Sequence, residues 1–463
     1  MAQKLQVVQA FDRAVIKEIP ADDSQALETK LASAARVMCE RDAWLKPHQR
    51  SAILQRTAGL LEARQTQFAG LIAQEGGKPL TDAAAEVLRA IDGLRNAAEE
   101  LRNFAGREIP MGLTPASEGR WAFTTKEPIG VVAAISAFNH PLNLIVHQVA
   151  PAIAVGCAVI VKPAAATPLS CLELIALVRE AGLAEPWCQT LLTGDNALAE
   201  RLATDPRVAF LSFIGSARVG WHLRSKLAPG TRCALEHGGA APVIVDRSAK
   251  LDRIIEPIVK GGYYHAGQVC VSTQRIFVHT DILGDFVERL AARVGSLRVG
   301  DPLLRETEVG PLINPREADR VVSWIDEAAS AGARVIGGGR RSGTTLIPAI
   351  LLDPPADAKV SQLEVFGPVT CVYGFQELDK AIEIANALPF AFHASVFSTD
   401  IGPIMRAAQR LDASTVLIND HTAFRTDWMP FAGRRQSGYS VGGIPWSMQA
   451  MSQEKMVVLR YEG

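Results

Sequence analysis

The chain has 463 residues, 48% of them hydrophobic, and 48 Lys plus Arg against 49 Asp plus Glu leave a formal net charge of −1. So even a balance offers no positive field to a phosphate backbone, and no basic run is interleaved with aromatics, which argues against a nucleic-acid partner. The longest apolar runs, Ile129 to Phe138 and Val149 to Val161, fall short of the roughly 20 residues that span a bilayer, so no membrane association is expected, and the length points to two or more packed units.

Residues 1 to 15 hold neither an apolar signal core nor an Arg/Ser-rich leader, and the seven cysteines are odd in number with no CxxC pair. The expected compartment is the cytoplasm. From Asp23 to about Phe104 three helical patterns follow one another. One of them, SAILQRTAGLLEARQTQFAGLIAQE, runs from Ser51 and stops at Gly76 and Gly77. Pro110 to Glu118 reads as turns. The runs VVAAISA, AVIVK, QTLLT and VAFLSFI then alternate with helical patterns, which predicts a parallel, doubly wound sheet. A second alternation passes through APVIV, RIFVH, RVIGGG and PVTCVYGF to about Phe431 and predicts a second α/β unit, with the boundary near Gly238 and Gly239. RWAFTTKEP near residue 120 and the closing KMVVLRYEG read as strands without covering helices, and such edges pair with another subunit or domain.

Six segments hold candidate chemistry. In YYHAGQVCVSTQRIFV a polar turn presents the thiol of Cys270 just before a β-like run. Most free cysteines are inert, small and buried, and that reading is given to Cys39, Cys157, Cys171, Cys188, Cys233 and Cys371. Glu236, in CALEHGGAAPVIV, stands between an apolar strand and a Gly-Gly pair; alone it could be a strand-end charge. Asn139, in AISAFNHPLNL, lies at the end of an apolar strand, where parallel sheets face their ligands, and its amide could donate to an oxyanion. In FLSFIGSARVG a strand runs into Gly215, Ser216 and Gly220, a turn able to offer backbone N–H groups to a pyrophosphate. Lys162 ends the strand AVIVK, where an ammonium can meet a ribose or phosphate or simply face water. Glu364, Phe366, Gly367 and Pro368 make the turn EVFGP.

In this order these segments resemble the aldehyde dehydrogenase superfamily over almost the whole chain. EGGKPL from Glu75, GPLI from Gly310 and MPFAGRRQSGYSVGG from Met429 extend the likeness. The resemblance implies an α/β fold. A doubly wound, Rossmann-like cofactor domain would span 1–109 and 129–237 and a catalytic domain 238–443. A small β element for bridging and oligomerisation would join 110–128 to 444–463, in a homodimer or homotetramer. It also implies NAD(P)-dependent oxidation of an aldehyde to its carboxylate. Cys270 would be the nucleophile, forming a thiohemiacetal and then a thioester. Asn139 and the Cys270 N–H would hold the oxyanion, and Glu236 would activate the hydrolytic water. Lys162, Gly215, Ser216, Gly220, Glu364 and Phe366 would hold the cofactor. No metal is expected, since the histidines are dispersed.

Three departures from the family pattern stand out, the first bearing on the choice of cofactor and the other two on cofactor-side loops and assembly. Ala165 stands where NAD-preferring relatives carry a glutamate, which removes repulsion against a 2′-phosphate and suggests that NADP is accepted, with NAD still open; no further Arg stands beside it in the sequence. Ala432 replaces a common glycine, and VGG follows Tyr439 where an acidic residue is usual. FNHPLN and INDHTAFRTDWMPF resemble the branch with lactaldehyde, phosphonoacetaldehyde and sulfoacetaldehyde dehydrogenases, which implies a small polar or anionic aldehyde. His140 and three arginines, Arg102, Arg275 and Arg425, are candidate substrate contacts, the arginines reading first as surface or interdomain charges. Two alternatives remain: a cysteine hydrolase pairing Cys270 with His265 or His237, and an inactive family member that only binds.

Overall fold

The computed structural model describes residues 4–461. The first sheet has six strands, in the order Gly438–Tyr439, Arg232–Glu236, Val208–Ile214, Val131–Ile135, Val159–Lys162, Cys188–Thr190. All neighbours in it are parallel except Gly438–Tyr439, which pairs antiparallel with Arg232–Glu236. Val131–Ile135 is buried at all five residues, as a parallel strand covered on both faces must be. The strands on its two sides are reached in opposite directions, and the crevice outside this reversal is where doubly wound sheets bind ligands.

Helices Ser24–Cys39, Pro47–Ala63, Gln65–Gly76 and Leu80–Glu100 make the opening layer. The segment expected as one helix from Ser51 to Glu75 is broken at Arg64, the non-helical junction between two helices. Its apolar spacing runs on across the break because Ile53, Leu54, Leu61, Phe68 and Ile72 all enter one core. The chain does stop at Gly77, whose φ of 71° closes the second helix. The sequence reading also missed the hairpin Lys4–Val8 with Val15–Pro20, which lays Val7 and Ile19 on Leu169.

The second sheet has seven strands: Arg334–Ile336, Ala349–Leu352, Val369–Phe375, Thr273–His279, Ala241–Val245, His393–Phe397, Thr415–Ile418. Only the first pair is antiparallel. Gly238 and Gly239 lie between the last chain-order parallel strand of one sheet and the first strand of the other. The chain does not stay in the second unit until residue 443, however. Gly438–Tyr439 has already rejoined the first sheet. Helix Ile444–Ala450 follows, and Ile444, Met448 and Met451 enter the first core. Residues 444–450 are therefore not part of a strand-only bridge, because apolar residues four and three apart fold as a helix face.

The two uncovered strands pair with each other: Arg120–Pro128 and Ser452–Arg460 form nine antiparallel pairs, from Arg120↔Arg460 to Pro128↔Ser452, with Glu108–Ile109 on the far side. Trp121, Met456, Val458 and Leu459 of this ribbon are exposed. Glu462 and Gly463, the last of the expected bridging residues, and residues 1–3 of the expected first domain lie outside the described residues. Cys39 is exposed, against the expectation of a buried thiol, while Cys157, Cys171, Cys188, Cys233 and Cys371 are buried.

Candidate active site

Asn139 follows Val131–Ile135, Lys162 ends Val159–Lys162, Gly215 and Ser216 follow Val208–Ile214, and Glu236 ends Arg232–Glu236. All four positions lie at carboxyl ends of parallel strands, so one edge of the first sheet gathers them. Cys270 and the EVFGP turn face them from the second unit. Together with Ala165 and Phe366 they line one cavity of about 880 Å³.

The loop carrying Cys270 is wound unusually: His265, Ala266 and Gly267 take φ of 48°, 54° and 70° in succession. Left-handed backbone at a non-glycine residue costs of order 1–3 kcal/mol, so surrounding contacts must hold it. Gln268 supplies them, accepting from Ile313 N at 2.9 Å and donating to Pro311 O at 3.2 Å, which ties the loop to the GPLI segment. The backbone oxygen of Gln268 in turn accepts from Asn139 Nδ2 at 2.9 Å. One amide proton of Asn139 is thereby used, and the second remains for a ligand near Cys270.

Burial pushes the Cys270 thiol up to about 12; Arg425 pulls it back, and Glu364 and Glu236 push it further up. The thiol is therefore protonated at neutral pH and needs a base when substrate arrives. Burial also raises Glu236 above the ordinary carboxylate range, with Arg425 opposing. A Cβ on Gly442 would come within 2.1 Å of Glu236 Oε1, so the glycine that follows Val441 leaves room for this carboxylate.

A nicotinamide dinucleotide finds complementary groups at the other end of the cavity. Glu364 Oε1 is buried without a hydrogen-bond partner, and burial lifts its carboxyl to about 8; a hydroxyl donor would satisfy it. Burial lowers Lys162, whose ammonium has no ion-pair partner among the described residues, so an anionic or hydroxylated ligand would relieve it. Ser216 caps helix Ala217–Ser225 with no side-chain hydrogen bond, leaving first-turn N–H groups for a phosphate.

Two expected cofactor contacts differ. The Gly215 N–H is already spent on Glu236 O at 3.1 Å. Gly220 does not line the cavity: its N–H bonds Ser216 O within the helix, and a Cβ there would meet the His237 ring at 2.0 Å. Gly220 is a packing glycine. Arg218, absent from the sequence reading, lines the same cavity as Ala165, exposed and without an ion-pair partner among the described residues.

The three candidate arginines separate. Arg102 is exposed. Arg275 is buried and spends its guanidinium on the carbonyls of Ala240, Ile384 and Ala385, a structural clasp. Arg425 lines the cavity with Cys270, Glu236, His140 and Arg89, so it is no surface charge. His140 is buried, and its Nε2 lies 3.4 Å from the Tyr264 hydroxyl. His237 Nδ1 meets Gly215 O at 2.9 Å, and both ring nitrogens of buried His265 lack partners. Neither imidazole bonds Cys270, so the hydrolase pairing has no geometric support. Among the described residues no group of His, Cys, Asp or Glu is arranged to hold a metal ion, and no helix is long and apolar enough to cross a membrane.

Sequence reasoning also missed the braces behind the site. Buried Glu75 accepts from Leu169 N and Ser170 N, both at 2.8 Å, at the start of the helix that follows Lys162. Buried Glu86 accepts from Leu142 N and Asn143 N, both at 3.0 Å, at the start of the helix that follows Asn139, and it pairs with buried Lys78. The only sequence signal was the EGGKP segment itself, which supplies Glu75 and Lys78.

A doubly wound sheet whose carboxyl edge meets a buried thiol and a buried carboxylate across a nucleotide-sized cavity defines an oxidoreductase of the dinucleotide-binding kind. Residues 1–457 match the aldehyde dehydrogenase family. The 3-sulfolactaldehyde dehydrogenase of Priestia aryabhattai is 37% identical over 459 residues, 99% of this chain and 95% of that protein. Aldehyde dehydrogenase 21 of Physcomitrella patens, solved with its reaction product succinate, superposes with a TM-score of 0.96 at 31% identity, covering 100% of this chain and 96% of that one. Glyceraldehyde-3-phosphate dehydrogenase GapN of Methanocaldococcus jannaschii, solved with NADP, superposes with a TM-score of 0.94 at 32% identity over 99% of both chains. The chain belongs to the aldehyde dehydrogenase family, whose members oxidise aldehydes with NAD(P).

Proposed function

We propose that the enzyme oxidises a small anionic aldehyde to its carboxylate through a thioester on Cys270. The observation that carries this reading is the meeting of Cys270, Asn139, Glu236 and the Arg425 guanidinium in one cavity with Lys162 and Glu364. Cys270 Sγ attacks the aldehyde carbon as its proton passes to a base, for which Glu236 is placed. The carbonyl oxygen becomes an oxyanion, which accepts hydrogen bonds from the free Asn139 Nδ2–H and the Cys270 N–H; losing one such donor typically costs ~10²–10³ in rate. The dinucleotide, when bound, supplies the hydride acceptor that turns thiohemiacetal into thioester. Once the thiol's proton has passed from Glu236 to solvent, Glu236 takes a proton from the water that cleaves the thioester and returns it to the departing Cys270 thiolate, while the acid formed loses its own proton to leave as the carboxylate.

Lys162, Ser216, Glu364 and Phe366 hold the cofactor. Ala165 leaves space for a 2′-phosphate and Arg218 offers it a charge, which supports acceptance of NADP; a titration in which NADP binds no better than NAD would remove that preference. The anionic relatives' substrates and products, sulfolactaldehyde and succinate, support the substrate class. The exposed ribbon supports a homodimer or homotetramer, and seven unpaired cysteines fit a reducing, cytoplasmic address.

The test is absorbance at 340 nm with each cofactor and a panel of small aldehydes, charged and neutral. Cofactor reduction is expected with the wild type and is expected to vanish in Cys270→Ala. Equal reduction by that variant would overturn the role of Cys270.

A further inference from the structure

Arg425 is held in a way that a surface charge would not need. Its guanidinium carbon stands 3.5 Å over the Phe431 ring, and one terminal nitrogen meets His147 Nδ1 at 3.2 Å. The other ring nitrogen, Nε2, lies 2.7 Å from Asp427 Oδ1. Asp427 also receives Arg89 through two bonds of 2.7 and 3.1 Å and Asn143 Nδ2 at 3.0 Å.

A guanidinium can only donate, so Nδ1 of His147 must accept, and the ring's proton is on Nε2, donated to Asp427. Burial, helped by Arg425, lowers His147 to about 4, which keeps the ring in this neutral form at working pH. Asp427 is thus saturated by Arg89, His147 and Asn143. Among the described residues no carboxylate pairs with Arg425, and its Nε is buried without a partner. Of Arg89 and Arg425, both on the cavity wall, Asp427 bonds only Arg89, and Arg425, reached through His147, keeps a guanidinium open to the cavity beside Cys270, where Glu236 is the carboxylate that acts on it most.

We propose that His147 is the positioning residue of a substrate-anion site: fixed by Asp427, its neutral ring aims Arg425 at the carboxylate, sulfonate or phosphonate of the aldehyde being oxidised. This rests on the anionic reading of the substrate given above. The rival explanation for the same charge is that Arg425 serves only the Cys270 thiol, which it also faces; that role would be blind to the charge of the substrate.

The experiment compares kcat and KM for succinate semialdehyde and for butanal, equal in carbon count, in the wild type, His147→Leu and His147→Gln. A wild-type preference for the charged aldehyde is expected. Leucine removes the acceptor and the donor, so KM for the charged aldehyde should rise about 10- to 100-fold while kcat/KM for butanal stays within about threefold. Glutamine can accept from Arg425 and donate to Asp427, and should restore most of the preference. As a readout without turnover, succinate should protect Cys270 from iodoacetamide in the wild type and the glutamine variant, and this holds the test open if the leucine variant does not fold. Equal loss for both aldehydes in His147→Leu would favour the thiol-only role, and an undiminished preference in it would also overturn the proposal. Failure of His147→Gln both to prefer the charged aldehyde and to be protected would do the same. A wild type indifferent to the charge would instead sink the anionic reading of the substrate, and this proposal with it.

Discussion

At the scale of single residues, the site poses a thiol that burial keeps protonated against a carboxylate that burial makes basic. Glu236 works as a base only when ionised, and its pKa is raised, so activity should climb with pH through a range above that of an ordinary carboxylate. Glu236→Gln should remove that limb. In stopped flow it should slow the appearance of the first equivalent of reduced cofactor, since Glu236 also takes the thiol's proton, and lower the steady rate by about 10²–10⁴. Unchanged steady turnover would assign the base elsewhere. Cys270, Asn139, Lys162 and Glu364 were legible because each sits in a short local context. Arg425 and Asp427 were not legible as a pair with Arg89 and His147, which lie some 280 to 340 residues away in the chain. No local pattern marks a contact of that span. Gly220 misled for the opposite reason: its spacing matched a phosphate turn, while only the folded His237 shows what the missing Cβ makes room for.

At the scale of elements, buried carboxylates set the helices that carry the site's loops. Glu75→Gln keeps one acceptor and turns an amide donor toward an N–H of Leu169 or Ser170, so a buried donor goes unsatisfied. A loss of about 1–3 kcal/mol is expected, visible as a lower midpoint in urea, with cofactor affinity falling as the helix after Lys162 loosens. An unchanged midpoint would mean that water takes over the cap. The alternation of strands and helices was readable because parallel strands buried on both faces are continuous apolar runs. The break at Arg64 was not, since one apolar stripe serves both helices. The four-residue strands Ala349–Leu352, second from one edge, and Thr415–Ile418, at the other edge, were missed because four residues carry too little pattern.

At the scale of the whole molecule, the ribbon of Arg120–Pro128 and Ser452–Arg460 presents Trp121, Met456, Val458 and Leu459 to solvent, with the outer edge of its last strand unpaired among the described residues. Light scattering should report two or four times the 49.7 kDa chain mass, and Val458→Asp with Leu459→Asp should shift it toward one. A monomeric wild type would remove the assembly from the account.

The return of residues 438–451 to the first core also sets the order of events during synthesis. Strand Gly438–Tyr439 and the apolar face of Ile444, Met448 and Met451 complete a layer begun by residues made hundreds of peptide bonds earlier. On the ribosome, then, the amino-terminal half cannot close when its own residues emerge. It waits with part of its core exposed while the second unit is translated, which leaves the nascent chain most vulnerable to aggregation until residues 438–451 emerge.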